Sequence, residues 1–204
     1  MQENTNSSKL GDILNKNGGY ITRRQIDQNG IKSWFLTDFV RKENLEKLAA
    51  GFYAKPDWIT DDFLVFQYKY PKFIFSYESA LYLLNLADSL PQTFEVTGPK
   101  NYRPFSPKEN IAIIHTDYKK ETYELGIAEV ETNLGNKVLA YNAEKTVCDL
   151  IRRSEKIDSE IYTKALYNYP KLKNKNPNRL IEYAKTMGIQ KKVYDTMMVV
   201  LNEL

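Results

Sequence analysis

From Thr22 to Lys42 the chain reads TRRQIDQNGIKSWFLTDFVRK, a pattern that predicts two short helices joined by a tight turn. Thr22 is suited to cap the first helix, because Gln25 three residues later can bond back to it in a capping box. The pair Asn29-Gly30 is expected to end this helix, since glycine readily takes the left-handed conformation. Ser33 is expected to cap a second helix that continues to about Lys42.

The predicted second helix has two different faces. Leu36, Phe39 and Val40 recur at helical spacing and form an apolar face, with Phe35 beside them. The other face and the leading end carry polar, basic and aromatic side chains: Lys32, Ser33, Trp34, Thr37 and Arg41. A helix, a glycine turn and a second helix of this kind is typical of a helix-turn-helix, whose second helix enters the DNA major groove.

The flanking sequence extends this pattern to a winged helix. Apolar residues at helical spacing around Leu10 predict a preceding helix, and residues 45–54 predict a hairpin that turns at Ala49-Ala50-Gly51. Lys47 near the hairpin tip is expected to contact phosphate, together with Arg23 and Arg24. Two alternatives stay open at this point: a helical hairpin packed on a β-ribbon without nucleic acid, and a winged helix that docks another protein.

The remaining sequence predicts a second, mixed domain. Lys55–Trp58 is expected to be a linker, so the domains are predicted as residues 1–55 and 56–204. A helix is predicted near residues 61–69, with a second one capped by Ser76. The strands are predicted at 93–97, 111–116, 127–131 and 138–141, and the helices of the C-terminal half at 144–154, 158–168, 177–188 and 191–204. The predicted fold class is therefore α+β, with a winged helix-turn-helix followed by a small sheet and a helical C-terminal half.

The composition indicates a folded protein of the cytoplasm. Hydrophobic residues make up 42% of the 204 residues and charged residues 27%, which are ordinary globular values. No stretch approaches the ~18 apolar residues of a membrane span, so no membrane partner is predicted. Residues 1–8 are polar and are expected to form a short flexible tail. A single cysteine cannot form an internal disulfide, which fits a reducing compartment.

The net charge of +3 is unevenly distributed along the chain. Residues 1–55 and 144–204 carry an excess of Lys and Arg, whereas residues 56–143 carry an excess of Asp and Glu. Basic segments are candidate surfaces for polyanions, but the charge alone favours a solvated face. A second candidate basic surface is predicted at Lys145, Arg152, Arg153, Lys156, Lys171 and Lys173.

The residues that commonly carry chemistry do not form an enzyme signature. His115 lies in an apolar strand and Cys148 on the apolar side of a helix, so both are predicted to be structural. Glu129 and Glu131 share a strand face and, without a third ligand, are interpreted as a solvated edge rather than a metal site. No glycine-rich phosphate loop or nucleophile elbow is present. The sequence therefore predicts no catalytic residue, no metal site, no cofactor and no enzymatic activity.

Taken together, the motifs resemble the AbiEi antitoxin family of type IV toxin–antitoxin systems, which act in abortive infection and phage resistance. The resemblance covers nearly the whole chain. It is carried by residues 18–25, 29–31, 40–42 and 51–53 in the first part and by residues 75–83, 86–91, 96–97 and 125–127 further on. The most specific match is YNAEKTVCDLIR over residues 141–152. The family usually has arginine where Lys145 stands, a change that bidentate contacts would detect.

This resemblance implies two activities. One is transcriptional autoregulation, in which the winged helix binds inverted repeats of promoter DNA upstream of the protein's own gene. The other is neutralisation of a nucleotidyltransferase-like toxin, the functional partner, without a stable complex. The implied oligomeric behaviour is a monomer in solution that binds DNA cooperatively. An RNA-acting factor that uses Glu129 and Glu131, or a protein-docking factor, with the winged helix as a tether, is the alternative function.

Overall fold

The computed structural model describes residues 2–105, 109–117 and 119–202, and the side chains from Asn6 onward. The chain divides into two units, of which one ends at Lys69 and the other begins at Tyr70. Each unit contains helices and one small sheet. The predicted α+β class with a helical C-terminal half is confirmed.

The first unit combines four helices with a three-stranded antiparallel sheet. Its elements are α1 (Gln2–Lys16), β1 (Tyr20–Thr22), α2 (Arg23–Gln28), α3 (Ser33–Lys42), β2 (Glu46–Ala49), β3 (Phe52–Ala54) and α4 (Asp62–Lys69). The strand order is β1-β3-β2. Tyr20 pairs with Ala54 across the first ladder, and Lys47 pairs with Tyr53 across the second. The hairpin of β2 and β3 therefore forms where the sequence predicts it.

One apolar cluster joins the first three helices to the sheet. Its buried members are Leu10, Leu14, Ile21, Ile26, Ile31, Leu36, Phe39 and Leu45. Burial of one such side chain contributes about 1.5–3 kcal/mol, so this cluster contributes substantially to the stability of the unit. Phe35 and Val40 pack against it from the edge, as the helical spacing predicts.

The first unit extends beyond the boundary predicted at residue 55. The Trp58 ring lies 5.4 Å from the Tyr20 ring and 5.9 Å from the Phe52 ring. Tyr68 of α4 meets Phe52 edge-on at 5.2 Å. Because these aromatic contacts hold Trp58 and α4 against the sheet, the segment Lys55–Trp58 is part of the first unit and not a free linker.

The amino-terminal segment is helical. Because α1 begins at Gln2, the expectation of a flexible tail over residues 1–8 is wrong. Leu10 and Leu14 anchor the end of α1 in the core, and each further residue then adds one backbone hydrogen bond to an existing helix.

The second unit places a mixed five-stranded sheet beside six helices of the described chain. Its elements are β4 (Ile74–Phe75), α5 (Tyr77–Leu83), β5 (Phe94–Pro99), β6 (Ala112–Asp117), α6 (Lys120–Tyr123), β7 (Ile127–Glu131), β8 (Lys137–Tyr141), α7 (Ala143–Arg152), α8 (Ser159–Asn168), α9 (Pro177–Thr186) and α10 (Gln190–Asn202). The strand order is β6-β5-β4-β8-β7. The pairs β5–β6 and β4–β8 are parallel, whereas β4–β5 and β7–β8 are antiparallel.

Most of these elements agree with the sequence prediction within one or two residues. The exceptions are β4 and α6, which span two and four residues and carry too short a pattern to be recognised. Ser76 is the cap residue of α5, but its hydroxyl accepts a hydrogen bond from Thr97 at 3.0 Å and makes no cap bond.

The core of the second unit surrounds α7. Val147, Cys148, Leu150 and Ile151 of this helix are fully buried. Residues of α8, α9 and α10 cover one side, including Leu166, Leu180, Val193 and Val200. No helix in the described part of the chain is long and apolar enough to cross a membrane.

Candidate nucleic-acid interface

The α2–turn–α3 segment is fixed by local bonds. The Thr22 N–H donates to Gln25 Oε1 at 2.9 Å, and the Gln25 N–H donates to Thr22 Oγ1 at 3.3 Å, so the predicted capping box is present. Gly30 has φ +66°, which is the left-handed conformation expected after α2. Ser33 is the first residue of α3 rather than its cap. Lys32 holds the cap position without a side-chain bond.

The outward face of α3 presents the side chains that the sequence singles out. Leu36 and Phe39 point into the core, while Lys32, Trp34, Thr37 and Arg41 are exposed and Ser33 is half-buried. Trp34 keeps 50% of its surface exposed, and its ring lies on that of Phe35 with 3.5 Å between centroids. The structure thus places Trp34, Thr37 and Arg41 on one exposed face of α3, with Lys32 just before the helix and Ser33 half-buried at its start.

The cations around this face form only weak, exposed ion pairs or none with the described residues. Arg23 pairs with Asp27 at 2.8 Å and Arg41 pairs with Asp38 at 3.3 Å, in both cases at the surface. Exposed pairs of this kind contribute about 0–1 kcal/mol, so phosphate can displace the carboxylate. Arg24 and Lys47 are exposed and form no ion pair with any residue that the structure describes.

A cleft of about 600 Å³ separates the start of α3 from the hairpin turn. Ser33, Trp34 and Thr37 of α3 line one side. The opposite side is lined by Arg23, Ala50, Gly51, Tyr53 and Tyr68. The cleft therefore combines aromatic rings, hydroxyl groups and a guanidinium group, which are the groups that contact bases and phosphates.

The hairpin turn is tied to two helices through a single carbonyl group. The Gly51 carbonyl oxygen accepts hydrogen bonds from the Arg23 N–H at 2.7 Å and from the Tyr68 hydroxyl at 2.9 Å. Gly51 has φ +78°, and a Cβ there would lie 2.9 Å from both Arg23 Cβ and Tyr68 Oη. Sequence reasoning missed Tyr68, because its role depends on a contact seventeen residues away in the chain.

The second candidate basic surface is only partly a surface. Lys145 is 1% exposed, so its assignment to a basic surface is wrong. Its Nζ donates to Asp149 Oδ2 at 2.6 Å and lies 4.4 Å from the centre of the Tyr141 ring. Arg152 donates to the other oxygen of Asp149 at 2.7 Å. The exposed cations of this set are Lys156, Lys171 and Lys173.

Arg153 and His115 belong to a second polar cluster, at the start of α5. Arg153 donates to His115 Nδ1 at 2.8 Å, since an arginine has only donors. Among the described residues His115 Nε2 has no hydrogen-bond partner, although Glu95 Oε2 lies 3.7 Å away. The Tyr77 ring lies 4.2 Å from the His115 ring, and Arg153 Cζ lies 5.1 Å from the centre of the Tyr77 ring.

Tyr77 itself has an unusual conformation. Its φ of +46° is strained for a bulky side chain, and strain of this kind is concentrated at functional sites. Burial, followed by the nearby charge of Asp149, raises the pKa of Tyr77 to about 12, so its hydroxyl stays protonated at neutral pH. The sequence contains no local signal for this strain.

The other chemical candidates show ordinary contacts. Cys148 is buried in the core, and its thiol faces the Leu180 carbonyl oxygen at 3.7 Å. Glu129 is exposed and pairs with Lys137 at 3.7 Å. Within residues 2–105, 109–117 and 119–202, no group of three or more His, Cys, Asp or Glu side chains is arranged to hold a metal ion.

Comparison with known proteins gives a structural likeness to one solved fold and no indication of function. A scan against protein-family models and a search of curated proteins both give no match. Among solved structures, the chain is similar to the crystal structure of the RV2827C protein from Mycobacterium tuberculosis, with a TM-score of 0.56 and 13% sequence identity. That match covers 95% of this chain and 74% of the other chain. At this identity the likeness concerns the fold alone.

Proposed function

We propose that the protein is a sequence-specific DNA-binding regulator whose first unit is a winged helix, with α3 as the recognition helix. The observation that carries this proposal is the outward face of α3. It exposes Lys32, Trp34, Thr37 and Arg41 on a helix whose inner face is buried. The order of elements from α1 to β3 and the antiparallel hairpin beside α3 also support a winged helix.

The side chains divide into two roles in this proposal. Lys32, Ser33, Trp34, Thr37 and Arg41 approach base edges in the major groove. The cations beside the helix, Arg23, Arg24 and Lys47, contact phosphate, which sets the position of the protein on the duplex without reading its sequence.

The hydrogen bonds that hold the hairpin turn in place also support the proposed DNA-binding surface. Because the Gly51 carbonyl group accepts bonds from both α2 and α4, the turn is held against these two helices. A preformed surface loses less conformational entropy when it binds, and this favours affinity.

We propose, on the resemblance to the AbiEi family, that the DNA target is an inverted repeat upstream of the protein's own gene. The protein then acts in the cytoplasm as an autorepressor that binds as monomers and fills the repeats cooperatively. The same resemblance is the basis for proposing that it is an antitoxin in a type IV toxin–antitoxin system of abortive infection.

Binding to DNA from immediately upstream of the start codon tests the regulatory part. The duplex is titrated with purified protein against scrambled competitor at several salt concentrations. We expect binding that survives the competitor and more than one shifted species, with affinity that falls as salt rises. Binding that the competitor removes contradicts sequence-specific regulation. A failure to bind any DNA, independent of salt, favours a protein-docking module instead.

Co-expression tests the antitoxin part. The neighbouring nucleotidyltransferase-like toxin is expressed with and without this protein, and growth is measured. The strained Tyr77 and His115 Nε2, which has no hydrogen-bond partner among the described residues, direct the choice of variants in the second unit. We expect Tyr77→Phe or His115→Gln to reduce rescue while leaving DNA binding intact. If the double variant, Tyr77→Phe with His115→Gln, still rescues growth, this cluster has no role in neutralisation. If the unmodified chain does not rescue growth, the protein is not an antitoxin for this toxin.

A further inference from the structure

The leading half of α3 lacks the side chains that most often read guanine and adenine. Arginine and lysine recognise guanine, and asparagine and glutamine recognise adenine, through paired hydrogen bonds in the major groove. Residues 33–40, the first eight of the ten residues of α3, contain none of these four residue types. The polar groups available on the outward face of this segment are Ser33, Thr37 and Asp38, together with the indole N–H of Trp34.

Asp38 does not offset this lack. A carboxylate accepts a hydrogen bond from cytosine and reads neither guanine nor adenine. The one arginine of α3, Arg41, lies in the last turn. Within α3 the charged side chains therefore lie in the second half, and Lys32 precedes the helix, so the leading half presents an aromatic ring and hydroxyl groups.

Trp34 provides apolar surface at the position where a recognition helix meets base edges. Its indole is half exposed and is supported from behind by the Phe35 ring, so the exposed surface is held in a defined place. Thr37 lies three residues further on and therefore follows Trp34 on the same side of the helix, where its methyl group extends the apolar surface. Both residues line the cleft in front of the hairpin turn.

We infer that the leading half of α3 reads thymine, by packing Trp34 and the Thr37 methyl group against the C5-methyl group of thymine in A·T pairs. This methyl is the apolar group that base pairs present in the major groove, and alanine, the threonine methyl group and phenylalanine are among its usual contacts. The inference rests on the proposed function, because it requires that α3 enters the major groove. It assigns the base preference to Trp34 and Thr37 and not to the cations beside them.

The test replaces thymine by uracil, which removes only the methyl group. A preferred duplex is selected from a random pool with the purified full chain, and each thymine of the selected site is then replaced by deoxyuridine. We expect at least one position at which the affinity falls about fourfold, the loss of one buried methyl-sized group. The same duplexes are measured with Trp34→Ala combined with Thr37→Ser, which removes both proposed methyl contacts and is expected to bind thymine and uracil duplexes equally well. Trp34→Phe keeps an aromatic surface and is expected to retain part of the discrimination.

Ile59→Ala is the control variant, because Ile59 is 73% exposed in the same unit but lies outside α3. It is expected to discriminate like the unmodified chain. If a duplex is bound specifically but uracil costs no affinity, or if the variant that combines Trp34→Ala with Thr37→Ser still discriminates, the thymine inference is wrong and the proposed function stands. If no duplex is bound above the nonspecific level, the proposed function fails and the inference fails with it.

Discussion

Lys145 and Asp149 form an ion pair of 2.6 Å inside α7, with side chains that are 1% and 2% exposed. The two residues are four positions apart on one helix, so the pair closes as the helix forms. Tyr141 lies beside the ammonium group and Arg152 satisfies the second carboxylate oxygen. The buried charges are therefore neutralised within one helix and its preceding strand.

We expect Asp149→Ala to destabilise the second unit strongly. The substitution leaves the ammonium group of Lys145 buried without its counter-charge, and loss of one partner of a buried pair typically costs about 3–5 kcal/mol. Denaturant unfolding followed by far-ultraviolet circular dichroism measures the effect. Replacement of both residues, Lys145→Met with Asp149→Leu, should cost less than Asp149→Ala alone, because no fully buried charge is left unpaired and Arg152, the other partner of Asp149, is partly exposed to water. A double variant that is less stable than the single one contradicts this account.

We expect Gly51→Ala to weaken both the stability of the first unit and its affinity for DNA. The left-handed backbone at φ +78° and a Cβ 2.9 Å from Arg23 Cβ and Tyr68 Oη both oppose the substitution. Strain of this kind costs about 1–3 kcal/mol. Gly135→Ala is the matched control, because Gly135 has φ +79° but open space around the added Cβ. Equal losses of thermal stability in the two variants would show that the anchor of the hairpin turn contributes nothing.

We expect Lys47→Ala and Thr37→Ala to affect DNA binding in different ways. Loss of a phosphate contact at Lys47 should weaken all duplexes alike and reduce the salt dependence by about one unit of slope. Loss of a base contact at Thr37 should cost about 1–3 kcal/mol on the preferred duplex and leave nonspecific binding unchanged. Titrations of a preferred and a scrambled duplex over a range of salt concentrations separate the two patterns. If Thr37→Ala and Arg41→Ala both leave affinity and preference unchanged, α3 is not the recognition helix.

We expect the Cys148 thiol to be unreactive in the folded protein. Burial, followed by the charge of Asp149, raises the pKa of the Cys148 thiol to about 12, so almost no thiolate forms at neutral pH. Labelling with a chromogenic disulfide reagent is expected only after denaturant is added. The chain has one cysteine, so the labelling signal has a single source. Rapid labelling of the native protein contradicts the burial of Cys148.

We expect Glu78→Gln to reduce the loss of stability that accompanies a rise in pH. Burial, followed by the charges of Glu95 and Asp158, raises the pKa of Glu78. The folded state therefore binds this proton more tightly than the unfolded chain does. Its contribution to stability is complete below the unfolded pKa and is lost as the pH rises through the folded pKa.

Thermal unfolding between about pH 4 and about pH 7 measures this effect as the difference between the variant and the unmodified chain. Glu121→Gln, which changes an exposed carboxylate of the same unit, is the control. Identical pH profiles of Glu78→Gln and the unmodified chain contradict the prediction.

The α2–turn–α3 segment could be predicted from sequence because its signals are local. The capping box joins residues three apart, and Gly30 alone supplies the left-handed residue after α2. The apolar face of α3 follows from helical periodicity. Each of these signals depends on a few neighbouring residues and needs no knowledge of the fold.

The predictions that fail concern features that depend on contacts between residues distant in sequence. The cations from Lys145 onward predict a basic surface, yet α7 is almost entirely buried. Lys145 pairs with Asp149 inside the helix, and Glu144 accepts hydrogen bonds from Asn176 and Tyr169, which lie outside it. The predicted linker contains Trp58, whose aromatic contacts with Tyr20 and Phe52 are distant in sequence. The strained backbone of Tyr77 likewise depends on the surrounding packing. Contacts between distant residues therefore set the features that sequence patterns could not reveal.

Both tryptophans, Trp34 and Trp58, lie in the first unit, whereas the one cysteine is buried in the second. Indole fluorescence and thiol labelling therefore report on different halves of the same chain without any introduced probe. A denaturant titration read by both signals can show whether the halves melt together or separately. The unmodified protein therefore carries one natural probe of unfolding in each unit.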